Sequence, residues 1–321
     1  MGGRSRARTL ASGLLVVLAA CSPGGGRGDG SAAPAPSPTT VGGTATNGSG
    51  YGPPAQLGTI EDSAVRESSG LVASRRSPGQ YWTHNDSDDG PFLYCLGSRG
   101  EPCGTWRVRG ADAFDWEDIA AGPGPDPSTS YLYIGDIGDN LGDRPDVVVY
   151  RVAEPLSGEA PAPSGASPAV TEPAEALTLR YPDGSHDAEA LLVHPETGDL
   201  YIVVKEVNPR VYVVRAPIRP ATVHVLEPVA TLAIGAEVTG GDIARDGRRV
   251  ALCTYAAGYE LRLPPDAASF DAVWQQPPQP LVLGPRAQGE AIAYRLDGKA
   301  LLTTSESPLG GPSALYQIEF G

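Results

Sequence analysis

A ring of short, four-stranded antiparallel blades, a β-propeller, is the fold class this sequence predicts, and three observations predict it. The 321 residues include 41 glycines and 32 prolines and carry no long amphipathic helical pattern, which points to many short strands joined by turns. One motif recurs, as "SSGLVAS" (68–74), "WEDIAAG" (116–122), "DAEALLVH" (187–194), "TGGDIARDG" (239–247) and "QGEAIAYRLDG" (288–298), aligned on Leu71, Ile119, Leu191, Ile243 and Ile292. Each copy is followed by the same progression of turn and β-rich runs. The steps between copies are 48, 72, 52 and 49 residues, and the long one contains a Pro/Ala-rich insertion at 153–175, without which it too is near fifty. Four strands in about fifty residues is one propeller blade.

Taken in order, the first copy is followed by "YWTHND", "PFLYCL" and "CGTWRVRG". The second leads to "YLYIGD", "VVVYRV" and, past the insertion, "ALTLRYPDG"; the third to "LYIVVKE", "RVYVVR" and "VATLAIG". The fourth has "RVALCTY" and is then irregular between Tyr255 and Trp274, so the count is five blades, or six if that stretch holds another. The last has only "ALLTTSE" and "ALYQIEF" after its motif, and "PAQLGTIEDSAV" (54–65) can supply the missing strand and close the ring. A sandwich is the rival arrangement, but it gives no reason for acids to recur at one register.

The propeller is assigned to 55–321. Ahead of it, Arg4, Arg6 and Arg8 precede an apolar run, Leu10 to Ala20, too short to span a bilayer. Leu18-Ala19-Ala20-Cys21 resembles the lipobox of bacterial lipoproteins, which implies cleavage after residue 20, lipid on Cys21 and attachment to the extracytoplasmic face of the cell membrane; an ordinary cleaved signal is the alternative. Cleavage removes three arginines and no acid, taking the net charge from −14 to −17. Residues 21–54 are Gly-, Ser-, Pro-, Ala- and Thr-rich and read as a flexible linker. Export means an oxidising compartment. There Cys95 and Cys103, flanking a hairpin turn, can form a disulfide and leave Cys253 as a buried thiol. A monomer is expected, and the acidity argues against a nucleic-acid surface.

The repeat places side chains. Two positions before each aligned apolar residue stand Ser69, Glu117, Glu189, Gly241 and Glu290; one position before stand Gly70, Asp118, Ala190, Asp242 and Ala291. In a propeller the first strand of each blade lines the central channel, so Glu117, Asp118, Glu189, Asp242 and Glu290 should converge near one mouth. Polar groups at the ends of the second strands should join them: His84, Asn85 and Asp86, Asp136, Lys205 and Glu206, and Glu306. Crowded carboxylates raise one another's pKa values or demand a cation, and hard oxygen ligands without cysteine or paired histidines suit Ca²⁺ or Mg²⁺, Ca²⁺ first. The competing reading is that each carboxylate accepts N–H bonds from the next blade and only ties the ring. "NDSDDG" (85–90) and "GDIGDN" (135–140) lack EF-hand spacing and read as hairpin turns. No Gly-x-Ser-x-Gly is present, and neither His84 nor His186 has a recognisable nucleophile partner.

"QGEAIAYRLDGKALLTTSES" and "DAEALLVHPETGDLYIVVKE" are similar to bacterial propellers of the phytase-like, SMP-30-like and TolB-like groups, in which an acid followed by "GIA" or "GLA" opens a blade. In enzymatic members the resemblance implies calcium-assisted hydrolysis of phosphoesters or lactones, but the dense basic pocket that a polyphosphate needs is missing here. Two functions are therefore expected: a non-catalytic propeller binding a ligand or protein partner at an acidic mouth, or a divalent-metal-dependent hydrolase at that mouth. Replacing Cys21→Ala should move the protein from the membrane to the soluble fraction; a variant that still sediments with membranes would contradict the lipid anchor.

Overall fold

The computed structural model describes residues 50–86, 89–156, 167–306 and 312–321, which belong to one compact unit. Cys21, the leader, the linker up to residue 49, the centre of the Pro/Ala-rich insertion, and Ser87 and Asp88 of "NDSDDG" lie outside the described residues.

Five antiparallel sheets form a five-bladed propeller. Blade 1 is β2 (Ser68–Ala73), β3 (Tyr81–Asn85), β4 (Phe92–Leu96) and β5 (Pro102–Arg109). Blade 2 is β6 (Trp116–Gly122), β7 (Tyr131–Asp136), β8 (Val147–Ala153) and β10 (Glu175–Arg180). Blade 3 is β11 (Ala188–Val193), β12 (Leu200–Val204), β13 (Arg210–Val214) and β15 (Glu227–Thr231). Blade 4 is β16 (Val238–Ile243), β17 (Arg249–Thr254), β18 (Gly258–Arg262) and β19 (Gln279–Leu281), with a 3₁₀ turn at Phe270–Gln275 filling the irregular stretch. Blade 5 is β20 (Gln288–Tyr294), β21 (Ala300–Glu306), β22 (Ala314–Glu319) and, from the other end of the chain, β1 (Ala55–Thr59). The inner strands β2, β6, β11, β16 and β20 each pack on the next, and β20 returns to β2.

Two outer strands go beyond the repeat. The insertion contributes β9 (Ala169–Pro173), parallel to β5, and the loop after β13 sends β14 (Val223–Val225) back to lie parallel to β10. Both cover a sheet edge that would otherwise stay open.

The core lies between blades, in five clusters, one per interface. Strand alternation divides each inner strand between two clusters: in β11, Leu191 and Val193 pack on blade 2, while Ala190 and Leu192 pack on blade 4. Ala188 also packs on blade 2, which unbroken alternation from Leu191 would not allow. The cause is a β-bulge at Glu189. Every inner strand has such a shift near its start, at Gly70, Glu117, Glu189, Thr239 and Glu290.

The bulges correct the sequence alignment. Blade 4 presents Thr239, not Gly241, at the position of the three glutamates, and blade 1 presents Gly70 rather than Ser69. Asp242 therefore falls out of register with Asp118.

Blades are tied across the channel. Asp118 Oδ2 accepts the N–H groups of Leu191 (2.9 Å) and Gly241 (3.2 Å), and Oδ1 accepts its neighbour Ile119 N–H (2.8 Å). Asp242 accepts Tyr294 N–H (2.8 Å). Ser69 donates to the Glu117 carbonyl (2.6 Å), and Thr239 to the Gly289 carbonyl (2.7 Å).

The ring closes at the far face. β22 runs away from the face where the inner strands begin, so Phe320 and Gly321 lie at the opposite one, where Gly50 and Tyr51 meet them. Tyr51 OH donates to Glu260 Oε1 of blade 4 (2.7 Å), beside Tyr294 OH (2.9 Å), while Arg262 Nε holds Glu260 Oε2 (2.6 Å). Cys95 and Cys103 are disulfide-bonded across the β4–β5 hairpin, with Cα atoms 5.0 Å apart, and Cys253 is a buried free thiol.

Asp118→Ala orphans three N–H groups at a buried position, and we expect a loss of roughly 3 kcal/mol. Asp118→Asn, which keeps an acceptor oxygen, should lose about 1 kcal/mol. Denaturant midpoints with equal m-values check the order; equal midpoints for the two variants would show that the carboxylate is not a clasp.

Candidate functional site

The inner strands begin, and the second strands end, at one mouth of the channel. Trp116 and Glu117 on β6, Glu189 on β11 and Glu290 on β20 start there, and β3, β7, β12 and β21 finish there. A bulge swings its residue out of the ladder, and in blades 2, 3 and 5 that residue is a glutamate, so three carboxylates are aimed at the same mouth.

The tightest group is Asp86, Asp115 and Glu117, each offering an oxygen within 4.8 Å of the others. Asp86 follows β3, and its N–H is held by the Glu67 carbonyl (3.1 Å). Asp115 precedes β6, and its carbonyl accepts Gly138 N–H (3.3 Å). Glu117 is only 4% exposed. Among the described residues, no donor reaches any of the three carboxylates, and Asp86 Oδ1 is buried without a partner. A Cβ on Gly138 would stand 2.2 Å from Glu117 Oε1 and 2.4 Å from Asp115 Oδ2, so only glycine leaves these oxygens their space.

The remaining acids surround this group. Glu189 Oε1 pairs with Lys205 Nζ, which lies 5.7 Å from the Tyr255 ring centre, whereas Glu189 Oε2 is buried and unpartnered. Gln288 Nε2 donates both to Glu290 Oε1 (2.8 Å) and to Glu306 Oε2 (2.7 Å). Asp187 Oδ1 accepts Asp139 N–H (2.7 Å).

Burial is the first cause of the resulting pKa shifts and neighbouring charge the second. Burial, then Asp115, raises Asp86 to about 7; burial, then Asp187, raises Asp115 to about 6. Glu117 is pushed well above the usual carboxylate range by burial and then by Asp86 and Glu189. Burial raises Glu189 to about 7 against the pull of Lys205, and burial with Glu189 raises Glu290 to about 9. Glu306 is raised by burial and by Glu67. Burial works against the charge of Lys205, but Glu189 outweighs it and the ammonium titrates higher than usual.

Other residues expected at the mouth have different work. Asp118 and Asp242 are interblade clasps; Asp242 lines a small recess with Arg75 and Arg245 at the far ends of the inner strands. His84 is fully buried, edge-on to Trp116 at 5.6 Å, with Nδ1 on the Asn85 carbonyl (2.8 Å); burial lowers it to about 4, so it is neutral near pH 7. Asn85 binds four groups: the Arg66 and Glu67 N–H, the Ala64 carbonyl and Asp89. Asp136 is taken by Arg144 (2.8 Å) and Phe114 N–H (3.0 Å), and Glu206 by Arg210 (2.5 Å). The repeat does not assign Asp115 and Asp187, though a D-x-E pattern announces both: "DWE" and "DAE" put two acids on one side of a strand start.

A second cavity, about 850 Å³, lies at the far ends of blades 2 and 3 between Pro123, Tyr133 and Pro217. Its buried charge, Arg151, is neutralised by Glu175 at 2.6 Å, so it lacks the uncompensated groups of the mouth.

Fold and site together define a five-bladed β-propeller with an acidic channel mouth. No protein-family model matches the chain, and no curated protein matches it. Among solved structures it is similar to a Thermus thermophilus protein carrying the provisional name oxidoreductase (glucose dehydrogenase), at 11% identity and a TM-score of 0.44, over 83% of this chain and 99% of that one.

The raised carboxylates fix the sign of a pH dependence. An acid whose folded pKa lies above its unfolded value near 4 adds stability at low pH and loses it as pH rises through the folded value. In EDTA, the contribution of Asp115, Asp86, Glu189 and Glu290 should therefore fall from about pH 4 to about pH 9. Glu290→Gln should flatten the upper part of that decline. Melting temperatures measured across the range check this, and an unchanged slope above pH 7 in the variant would contradict it.

Proposed function

We propose that this protein is an extracytoplasmic, lipid-anchored propeller that binds a ligand or protein partner at its acidic mouth around a divalent cation, Ca²⁺ before Mg²⁺, and does not catalyse a reaction. The observation that carries this reading is the Asp86–Asp115–Glu117 group: three carboxylates within 4.8 Å of one another and, among the described residues, no donor on any of them. Like charges about 5 Å apart repel by on the order of 3 kcal/mol per pair at a surface-like dielectric, so protons or a cation must compensate. Ca²⁺–oxygen distances of about 2.3–2.6 Å put ligand oxygens up to roughly 5 Å apart, which these residues match. Glu189, whose charge acts on both Asp86 and Glu117, keeps one buried oxygen without a partner among the described residues and is a further candidate ligand. The ligand set of the proposal thus moves from Glu117, Asp118, Glu189, Asp242 and Glu290 to Asp86, Asp115 and Glu117 with Glu189 as a further candidate, because Asp118 and Asp242 are taken by backbone N–H groups.

A metal-dependent hydrolase of phosphoesters or lactones is the second reading. It is favoured by Asp86 and Glu189, whose values near 7 suit a general base. Turnover of such a substrate by metal-loaded protein, abolished by Glu189→Gln, would make this reading the correct one.

The cation is tested by melting. A ligand at a hundred times its Kd adds about 2.7 kcal/mol, a shift of several degrees. Millimolar Ca²⁺ should raise the melting temperature over EDTA, and Gly138→Ala, which fills the space at the oxygens, should remove most of the rise. Coincident curves in Ca²⁺, Mg²⁺ and EDTA would overturn the cation site.

A further inference from the structure

We propose that the mouth and its rim form a docking surface for a partner-protein segment in which basic side chains alternate with apolar ones. This deepens the binding reading above and rests on it. Three large apolar residues stand exposed on the mouth-side connections of adjoining blades: Phe114 (70%), Leu141 (72%) and Val207 (57%). Phe114 lies just before β6, Leu141 in the β7–β8 loop, and Val207 in the β12–β13 loop directly after Lys205 and Glu206.

Phe114 and Leu141 are held out rather than left loose. Phe114 is fixed by its N–H on Asp136, and Arg144 stacks over its ring at 4.9 Å. The loop carrying Leu141 is wound around Asp139, whose carboxylate accepts the N–H groups of Asp143 and Arg144 (both 3.0 Å) and whose own N–H reaches Asp187 of blade 3. An ordered loop that turns a leucine to solvent on the mouth side, with an exposed phenylalanine and valine on neighbouring mouth-side connections, offers apolar anchors at the rim of the acidic mouth.

Charge and shape narrow the occupant. The mouth remains acidic with a divalent cation bound, because the charges of Asp187 and Glu67 act on the proposed ligands and Lys205 is committed to Glu189. An anionic bilayer is repelled by such a face. A free polyamine would use the acids and leave the rim uncovered. A peptide with Lys or Arg next to Leu or Phe uses both, its cations over the acids and its apolar side chains on Phe114, Leu141 and Val207.

The test uses two short peptides of equal length and charge, one alternating Lys with Leu and one alternating Lys with Ser, titrated by fluorescence anisotropy at physiological ionic strength. The Lys–Leu peptide should bind about tenfold more tightly. The double variant Phe114→Ser, Leu141→Ser, at positions too exposed to unfold the protein, should erase that preference and leave Lys–Ser binding unchanged. Equal affinity of both peptides for the unmodified protein, or a preference that survives the double variant, would overturn the proposal. Calcium melting curves and the two peptide titrations on the unmodified protein separate the two readings. A Ca²⁺ shift without peptide preference sinks the rim alone, and a preference without a Ca²⁺ shift keeps the rim and sinks the cation.

Discussion

One extra residue at the same height in all five inner strands organises this molecule. A strand that kept strict alternation would send every second side chain into an interblade core, and a glutamate near the strand start would be either buried in that core or turned into the neighbouring blade. The bulge releases one residue from the ladder and resets the alternation behind it, so Leu191 and Val193 still reach the blade 2 interface although Ala188 does too. The five interblade clusters and the acidic mouth are thus products of one geometric device. The core needs the reset, and the mouth needs the released residue.

What each acid does then depends on which donors are within reach. Asp118 sits where three N–H groups, its neighbour's and one from each of two other blades, point inward, and it ties them. Glu117, one residue earlier, faces Asp86 and Asp115 and meets no donor among the described residues. Adjacent positions of one motif therefore separate into a structural clasp and a carboxylate without a donor among the described residues. In blade 4, Thr239 takes the bulge and bonds the Gly289 carbonyl, so that bulge contributes no carboxylate to the mouth.

The blades were legible because their signals are local: turn residues, β-rich runs and the spacing of the repeat. The closing strand was legible for the same reason, as β1 fills the one vacancy in the count of strands. Two features were not. The alignment could follow residue type but not the bulge, so Gly241 stood for Thr239 and Asp242 was grouped with acids from which the ladder separates it. The outer strands β9 and β14 pair in parallel with strands of blades 1 and 2, and no short-range pattern announces a partner so far along the chain. At the site, Glu117, Glu189, Glu290, Asp86 and Glu306 followed from position alone. Asn85 and Asp136 are polar residues at the right strand ends, and only their hydrogen bonds show them to be occupied elsewhere; His84 is buried with Nδ1 on the Asn85 carbonyl and Nε2 without a partner among the described residues.

The ring closure also sets how the propeller resists force. β1 runs from the far face toward the mouth, alongside β22, and the chain ahead of it joins at Gly50, on the far face. A pull on that chain, away from the propeller, acts along the strand rather than across it. The β1–β22 hydrogen bonds are then loaded together in shear instead of opening one after another like a zipper. The Gly321 N–H bond to the Gly50 carbonyl takes the strain first, and Tyr51, hooked to Glu260 of the neighbouring blade, takes it next.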